Sequence, residues 1–328
     1  MRLLLSAHHR YPADGDSGSG LQPKAFPSGS GGHIHDTLVR GLAELGHEVL
    51  YHLPNGSSEP LPPRVVMVSD PVANVDVFHS LLYAQSEGNP IGESMRARGI
   101  PWLISCHMDR RSRGLEPVAL PPYTVYVSPS LARSHGSSRF VWNGLDPSRY
   151  IFSAAKGNYL LFVSALDWAY DKGLETAFQV ARRAGVKLLV AGTARNAKTI
   201  EEVKGACLAA GAECLGDVRG RAKAELYAGA RALLLPTRLN EGCPLVIIEA
   251  LMSGTPVIAS ACGGCPDMVT PDVGFICETV DDYARAVAAA GDIAPDACRR
   301  HALERYHYLR MSADYVREYR REMETMGS

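Results

Sequence analysis

No excess of either charge sign runs through this chain: 34 Lys and Arg face 35 Asp and Glu, with 13 against 13 up to Tyr150 and 21 against 22 beyond it. A nucleic-acid domain concentrates Lys and Arg, so nucleic acid is not expected as a partner. Also lacking is any apolar run near the roughly 20 residues that span a bilayer. The opening MRLLLSAHHRYP passes into histidines and arginine after a short apolar stretch, so neither a signal peptide nor a membrane span is expected. Of the eight cysteines, only Cys262 and Cys265 form a close CxxC pair. A structural zinc site needs a second such pair, and a chain of this length does not depend on disulfide staples. Reduced thiols and a cytoplasmic location are the expectation. With 46% hydrophobic and 21% charged residues, the composition excludes wholesale disorder.

What is present is one grammar used twice. The 328 residues suit two domains of about 150 residues each. RLLLSA (Arg2 to Ala7) reads as a strand, His8 to Gly32 as a long Gly-, Ser- and Pro-rich loop, and His33 to Leu45 as a helix with Ile34, Leu38, Leu42 and Leu45 on one face. EVLYHL, VVMV, VDVFHS, PWLISCH and TVYVS follow as near-continuous apolar strands, the pattern of a parallel sheet covered on both faces. The series restarts at Tyr159 with YLLFVS, VKLLVAG, ECLGDV and ALLLP alternating with helices, after the turn-rich NGLDPSRY. The expectation is an α/β protein with two Rossmann-like parallel-sheet domains facing a cleft, over 1–150 and 151–310. Ligands of such sheets bind beyond the carboxyl ends of the strands. The loops after strands are therefore the places to look.

One of those loops is NEGCPLVIIEALMSGTPVIAS, from Asn240 to Ser260. ALLLP ends a strand before it, and Leu245 to Met252 reads as a helix stopped by Ser253 and Gly254. Free amides around Cys243 to Val246 at the helix start form a ready phosphate site, and Pro244 suits the first turn. Glu241 in the loop and Glu249 in the helix flank that site, each able to accept hydrogen bonds from sugar hydroxyls. Taken singly, either glutamate reads equally as a cap or a surface charge.

The glutamates together with EALMSGTPVIAS and GGCPDMV (Gly263 to Val269) resemble the retaining glycosyltransferases of family 4, which have the GT-B fold and use nucleotide sugars. The resemblance covers nearly the whole chain and extends to SADYVREYRREME, which is similar to the family's terminal helix and implies, over 311–328, a helix that crosses back to the first domain. It implies that Glu241 contacts the transferred sugar, that Glu249 binds the ribose hydroxyls, and that the amides of Gly242, Cys243, Pro244 and Leu245 form the diphosphate-binding segment, Pro244 itself lacking an N–H. Asp267 stands where the family more often has Glu. GSGGHIHDTLVRGLAELGHEV is similar to the family's first loop and helix, with Gly31 and Gly32 where paired glycines let the backbone approach the donor. A nicotinamide fingerprint is a weaker reading, because the third spaced glycine is missing and EVLYHL ends in Pro54 and Asn55 in place of an acid.

By the same resemblance Lys172 neutralises the leaving diphosphate and His107, at the end of PWLISCH, lines the site of the transferred sugar. The family's arginine is absent: Ser164 and Ala165 occupy its place, and Arg195 or Arg238 is left to supply the second cation, Arg238 being favoured. Arg110 and Arg111, with Arg113, form either a solvated face or a surface for an anionic acceptor. The function implied is retaining, metal-independent transfer of a sugar from a nucleotide-diphosphate sugar, UDP sugars first, to an acceptor hydroxyl, with no cofactor. A GT-B nucleotide-sugar epimerase and a binding module without transfer activity are the alternatives. Oligomeric state is left open.

Overall fold

The computed structural model describes residues 1–13, 30–72, 74–81, 89–109, 114 and 119–327. Contacts divide the chain into one unit of Met1–Leu145 with His307–Ser328 and a second of Asp146–Tyr306, where the sequence suggests breaks at 150/151 and 310/311. In chain order the first unit holds β1 (Arg2–Ser6), α1 (Ser30–Glu44), β2 (Glu48–His52), β3 (Val65–Val68), β4 (Val77–Leu81), α2 (Pro90–Ala97), β5 (Trp102–Cys106), β6 (Thr124–Tyr126) and α3 (Pro129–Ser134). The second holds β7 (Tyr159–Val163), α4 (Leu174–Ala184), β8 (Lys187–Ala191), α5 (Ala197–Ala210), β9 (Glu213–Gly216), α6 (Gly220–Gly229), β10 (Ala232–Leu235), α7 (Leu245–Met252), β11 (Val257–Ser260), α8 (Cys265–Met268), β12 (Gly274–Cys277), α9 (Val280–Ala289) and α10 (Pro295–Tyr306). The final helix, α11 (Tyr308–Gly327), belongs to the first unit.

Each unit is a six-stranded parallel sheet, ordered β3-β2-β1-β4-β5-β6 in the first and β12-β11-β10-β7-β8-β9 in the second. Both have the same doubly wound topology, in which the strand order reverses once. The reversal falls between β1 and β4 in one unit and between β7 and β10 in the other. Leu50, Leu4, Phe78 and Trp102 lie in register across the first sheet and enter one core cluster. Leu160, Phe162, Leu188, Val190, Ala232, Leu234 and Ile258 form the equivalent layer of the second. VVMV departs from the covered-strand expectation: it forms the edge strand β3, with Val66 52% and Met67 48% exposed. An edge strand has a neighbour on one side only, so an apolar run does not by itself ensure burial.

The first unit's other face buries polar groups among its apolar ones. Tyr51, Leu5 and His79 share a row of the sheet, and His79 Nδ1 lies 2.7 Å from the Tyr319 hydroxyl of α11. Its Nε2 contacts Ser105, whose hydroxyl is 3.1 Å from Tyr315. The same helix is held by Arg139, which donates to Glu318 and Glu322 at 2.8 and 3.1 Å.

Candidate functional site

In the second unit the switch point lies between the ends of β7 and β10, and the loops that follow these two strands carry Lys172 and Glu241. Gly173 opens α4 with φ 86°, and a Cβ there would stand 2.0 Å from the Pro236 carbonyl oxygen. Only glycine lets the two loops press together at this point. The Arg238 amide donates to the Asp171 carbonyl at 2.9 Å, completing the clasp. Gly263 and Gly264 act from the other side, because Cβ atoms there would come within 2.4 Å of the Glu241 backbone and 2.3 Å of the Gly242 carbonyl oxygen. The Gly264 amide donates to the Glu241 carbonyl at 2.7 Å.

These contacts bring Lys172 Nζ to 3.0 Å from Glu241 Oε1, with side chains only 17% and 12% exposed. The two form an ion pair, and Oε1 is buried with no hydrogen-bond partner among the described residues. It remains able to accept a hydrogen bond from a ligand hydroxyl. Gly242, Cys243 and Pro244 are buried beside it, and Pro244 is the N-cap of α7. That helix is apolar around its circumference and enclosed by protein, as Ile247, Ile248, Ala250, Leu251 and Met252 show. Its start has no side-chain cap and no acidic residue in the first turn. Amides at the positive end of a buried dipole are thus left for an anion.

Glu249 lies one turn further along α7 and is 8% exposed. Its Oε2 accepts from the Tyr227 hydroxyl at 2.6 Å, and its Oε1 accepts from Lys223 Nζ at 2.7 Å and from the Tyr150 hydroxyl at 3.4 Å. Burial, followed by the Glu249 charge, raises the Tyr227 pKa well above its ordinary value, which keeps the hydroxyl protonated as a donor. Lys223, Tyr227 and Tyr150 were not among the residues expected from the sequence. The spacing of Lys223 and Tyr227 on α6 places them on one helix face, but no local pattern connects that face to Glu249.

The two candidate arginines differ. Arg238 is exposed, and its Nη2 donates to the Tyr170 carbonyl at 2.8 Å, so it fastens the loop that carries Lys172. Arg195 is exposed on the loop after β8, its amide donating to Asp167 at 3.1 Å. Ala165 precedes a single turn of 3-10 helix, Leu166–Trp168. Cys262 and Cys265 are free thiols, and burial, then the charge of Glu241, raises the pKa of Cys265.

In the first unit, Gly31 and Gly32 lie in the first turn of α1, not in the loop before it as the sequence suggests. First-turn amides have no partner within a helix, so glycines are tolerated there and can keep the backbone bare. A Cβ on Gly31 would stand 3.9 Å from His107 Cγ, so the expected glycine and histidine are neighbours. Desolvation lowers the His107 pKa to about 4. Its imidazole is therefore neutral near pH 7, suited to hydroxyl groups more than to phosphate charge. His9 is held at 2.8 Å from Asp36, which also accepts from the Tyr51 hydroxyl and the Ala13 amide. Arg110, Arg111 and Arg113 lie outside the described residues, as does most of the loop from His8 to Gly32.

Residues 157–291 match the family model described as glycosyl transferases group 1. An uncharacterized glycosyltransferase of Methanocaldococcus jannaschii is 26% identical over 185 residues, 51% of this chain and 46% of that protein. The alignment thus spans about half the length of this curated relative. Among solved structures, AviGT4, a glycosyltransferase involved in avilamycin A biosynthesis, aligns over 99% of this chain and 98% of its own at 24% identity and a TM-score of 0.75. HepE of Anabaena in complex with UDP aligns over 97% and 99% at 15% identity and a TM-score of 0.69. At these identities the two structures speak for the fold. No helix among the described residues is long and apolar enough to cross a membrane. Residues 157–291 thus resemble the glycosyl transferases group 1, in a chain whose two six-stranded parallel sheets have the GT-B fold.

Proposed function

We propose that this protein is a retaining glycosyltransferase of the family 4 type, transferring a sugar from a nucleotide-diphosphate sugar to an acceptor hydroxyl without a metal. The observation that carries the reading is the Lys172–Glu241 ion pair beside the uncapped start of α7. A diphosphate at those amides gains negative charge as the bond from its oxygen to the sugar C1 breaks. Lys172 and the helix start offset that charge, and stabilisation that grows in the transition state is what accelerates transfer. The acceptor oxygen bonds to C1 on the face the diphosphate leaves, and the departing phosphate oxygen takes the acceptor proton. Glu241, paired with Lys172, orients the sugar through its buried carboxylate. The first unit takes the acceptor, with neutral His107 as a hydroxyl contact.

UDP sugars are the first donors to test, since HepE, similar in fold, was solved in complex with UDP. Release of nucleoside diphosphate is measured from UDP, GDP and ADP sugars with and without acceptor mixtures, and the anomeric configuration of the product is read by NMR. Acceptor-dependent release with retained configuration is expected. Inversion would remove the front-face mechanism, and conversion of the sugar without an acceptor would indicate an epimerase. One observation favours the binding-module reading: Ala165 provides no cation, and Arg238 donates to the Tyr170 carbonyl. Tight nucleotide-sugar binding without release in any acceptor mixture is the result that would establish it.

A further inference from the structure

Before any ligand arrives, Glu249 already accepts from three donors: Tyr227 at 2.6 Å, Lys223 at 2.7 Å and Tyr150 at 3.4 Å. A carboxylate offers about four acceptor sites, so a ribose diol that needs two of them requires one donor to leave. Tyr227 is fully buried. Withdrawing its partner would strand a buried hydroxyl, which is costly. Tyr150 shares Oε1 with Lys223 but at 3.4 Å is the weaker donor, so Oε1 opens to a ligand only when the ammonium at 2.7 Å withdraws. Lys223 differs from both: its side chain keeps 34% of its surface in solvent, and its long flexible stem lets the ammonium return to water.

We propose that Lys223 is a displaceable counter-ion that sets the affinity of the second unit for ribose, and that Tyr227 is the fixed positioning residue that aims Glu249. The inference rests on the reading of Glu249 as the ribose acceptor. In the unliganded protein Lys223 compensates a carboxylate that is 90% buried at its side chain, a charge that would be expensive to leave unpaired. On binding, the ribose hydroxyls replace the ammonium at Oε1 while Tyr227 retains Oε2. The nucleotide site is thereby kept neutral and ordered when empty, and its affinity is lowered by the cost of breaking one part-exposed ion pair.

The test titrates the full chain, as wild type, Lys223→Met, Tyr227→Phe and Glu249→Gln, with UDP, GDP, ADP and their 2′-deoxy counterparts. Salt of about 0.5 M screens any distant attraction between Lys223 and the diphosphate, while the close, partly buried pair is screened less. Lys223→Met is expected to bind the ribonucleotide about three- to fivefold more tightly, the scale of a part-exposed ion pair. Tyr227→Phe is expected to lower the ratio of ribo- to deoxynucleotide affinity toward that of Glu249→Gln, a readout that a merely structural tyrosine would leave unchanged. Melting temperatures measured alongside verify that each variant is folded. Equal or weaker ribonucleotide binding by Lys223→Met overturns the proposal, because a lysine that contacts the ligand or stands aside does not compete with it. An unchanged ribose ratio in Tyr227→Phe overturns the positioning role. If wild type binds none of the three nucleotides, the nucleotide-site reading falls and this inference with it; if wild type binds and only these two variants disagree, this inference alone fails.

Discussion

The two units share a topology and both bury ion pairs, Arg139–Glu322 among them in the first, but they differ in the polar groups set beside their central strands. In the second, carboxylates beside the switch point are matched by lysines, Glu241 with Lys172 and Glu249 with Lys223. In the first, the interior polar groups include neutral imidazoles. Burial, then the charge of His107, lowers His79 to about 3. Burial, followed by repulsion from His79, His9 and His107, lowers His35 well below its ordinary value, and both its ring nitrogens lack hydrogen-bond partners among the described residues. Charges kept in pairs can exchange a partner for a ligand at modest cost. Neutral histidines set under helices have no such exchange and instead tie the core to pH.

The largest expected effect breaks the second unit's chemistry without breaking its fold. Lys172→Met, made together with Glu241→Gln so that no buried charge is left unpaired, is expected to slow nucleotide release on the order of a hundredfold or more. Turnover and melting temperature are measured together, and parallel loss of both would make the pair structural. Next, Glu249→Gln is expected to weaken nucleotide binding by about 1.5–3 kcal/mol, the scale of a charge-assisted hydrogen bond. Calorimetric titration checks this, and unchanged affinity would separate Glu249 from ribose.

The third prediction concerns the first unit. An unfolded histidine titrates near 6.5, whereas His79 in the fold titrates at about 3. Between these values the unfolded chain binds more protons, so this contribution to stability is fully present above about pH 6.5 and is lost progressively as pH falls toward about 3. The slope should be about 1 kcal/mol per pH unit from His79. Hydrogen exchange across that range should show β1, β4 and β5 losing protection before β7 and β10. Simultaneous loss in both sheets would erase the contrast, and His79→Asn should flatten the dependence. The smallest effect is that of Arg238. Its alanine variant is expected to weaken diphosphate binding by about 1 kcal/mol or less, through a loosened Lys172 loop, while leaving bare nucleoside affinity unchanged. A tenfold or larger loss would assign Arg238 a direct phosphate contact.

Much of the frame is legible locally. Leu245–Met252 is a helix with the bounds its apolar run and its stop suggest, and VVMV is a strand over Val65–Val68. No local pattern marks β12, whose four residues GFIC are too short to carry a period. Nor does one mark α2, although Asn89 caps it and Pro90 opens it, because eight residues with one glycine hold a weak apolar stripe. Gly31 and Gly32 read as loop because glycine disfavours helix interiors, a rule that does not bind in a first turn.

Neighbours along the chain are enough to specify the two alternating series, the apolar α7 segment, and the spacing that sets Glu241 ahead of its start and Glu249 within it. Which partners those carboxylates have is settled by contacts between segments far apart in the chain. Lys172 reaches Glu241 because Gly173 and the Gly263–Gly264 pair allow backbone contacts that a Cβ would prevent, and Lys223 reaches Glu249 from a separate helix. Such pairings depend on strand order and on close approach between segments distant in sequence, and no local period encodes either.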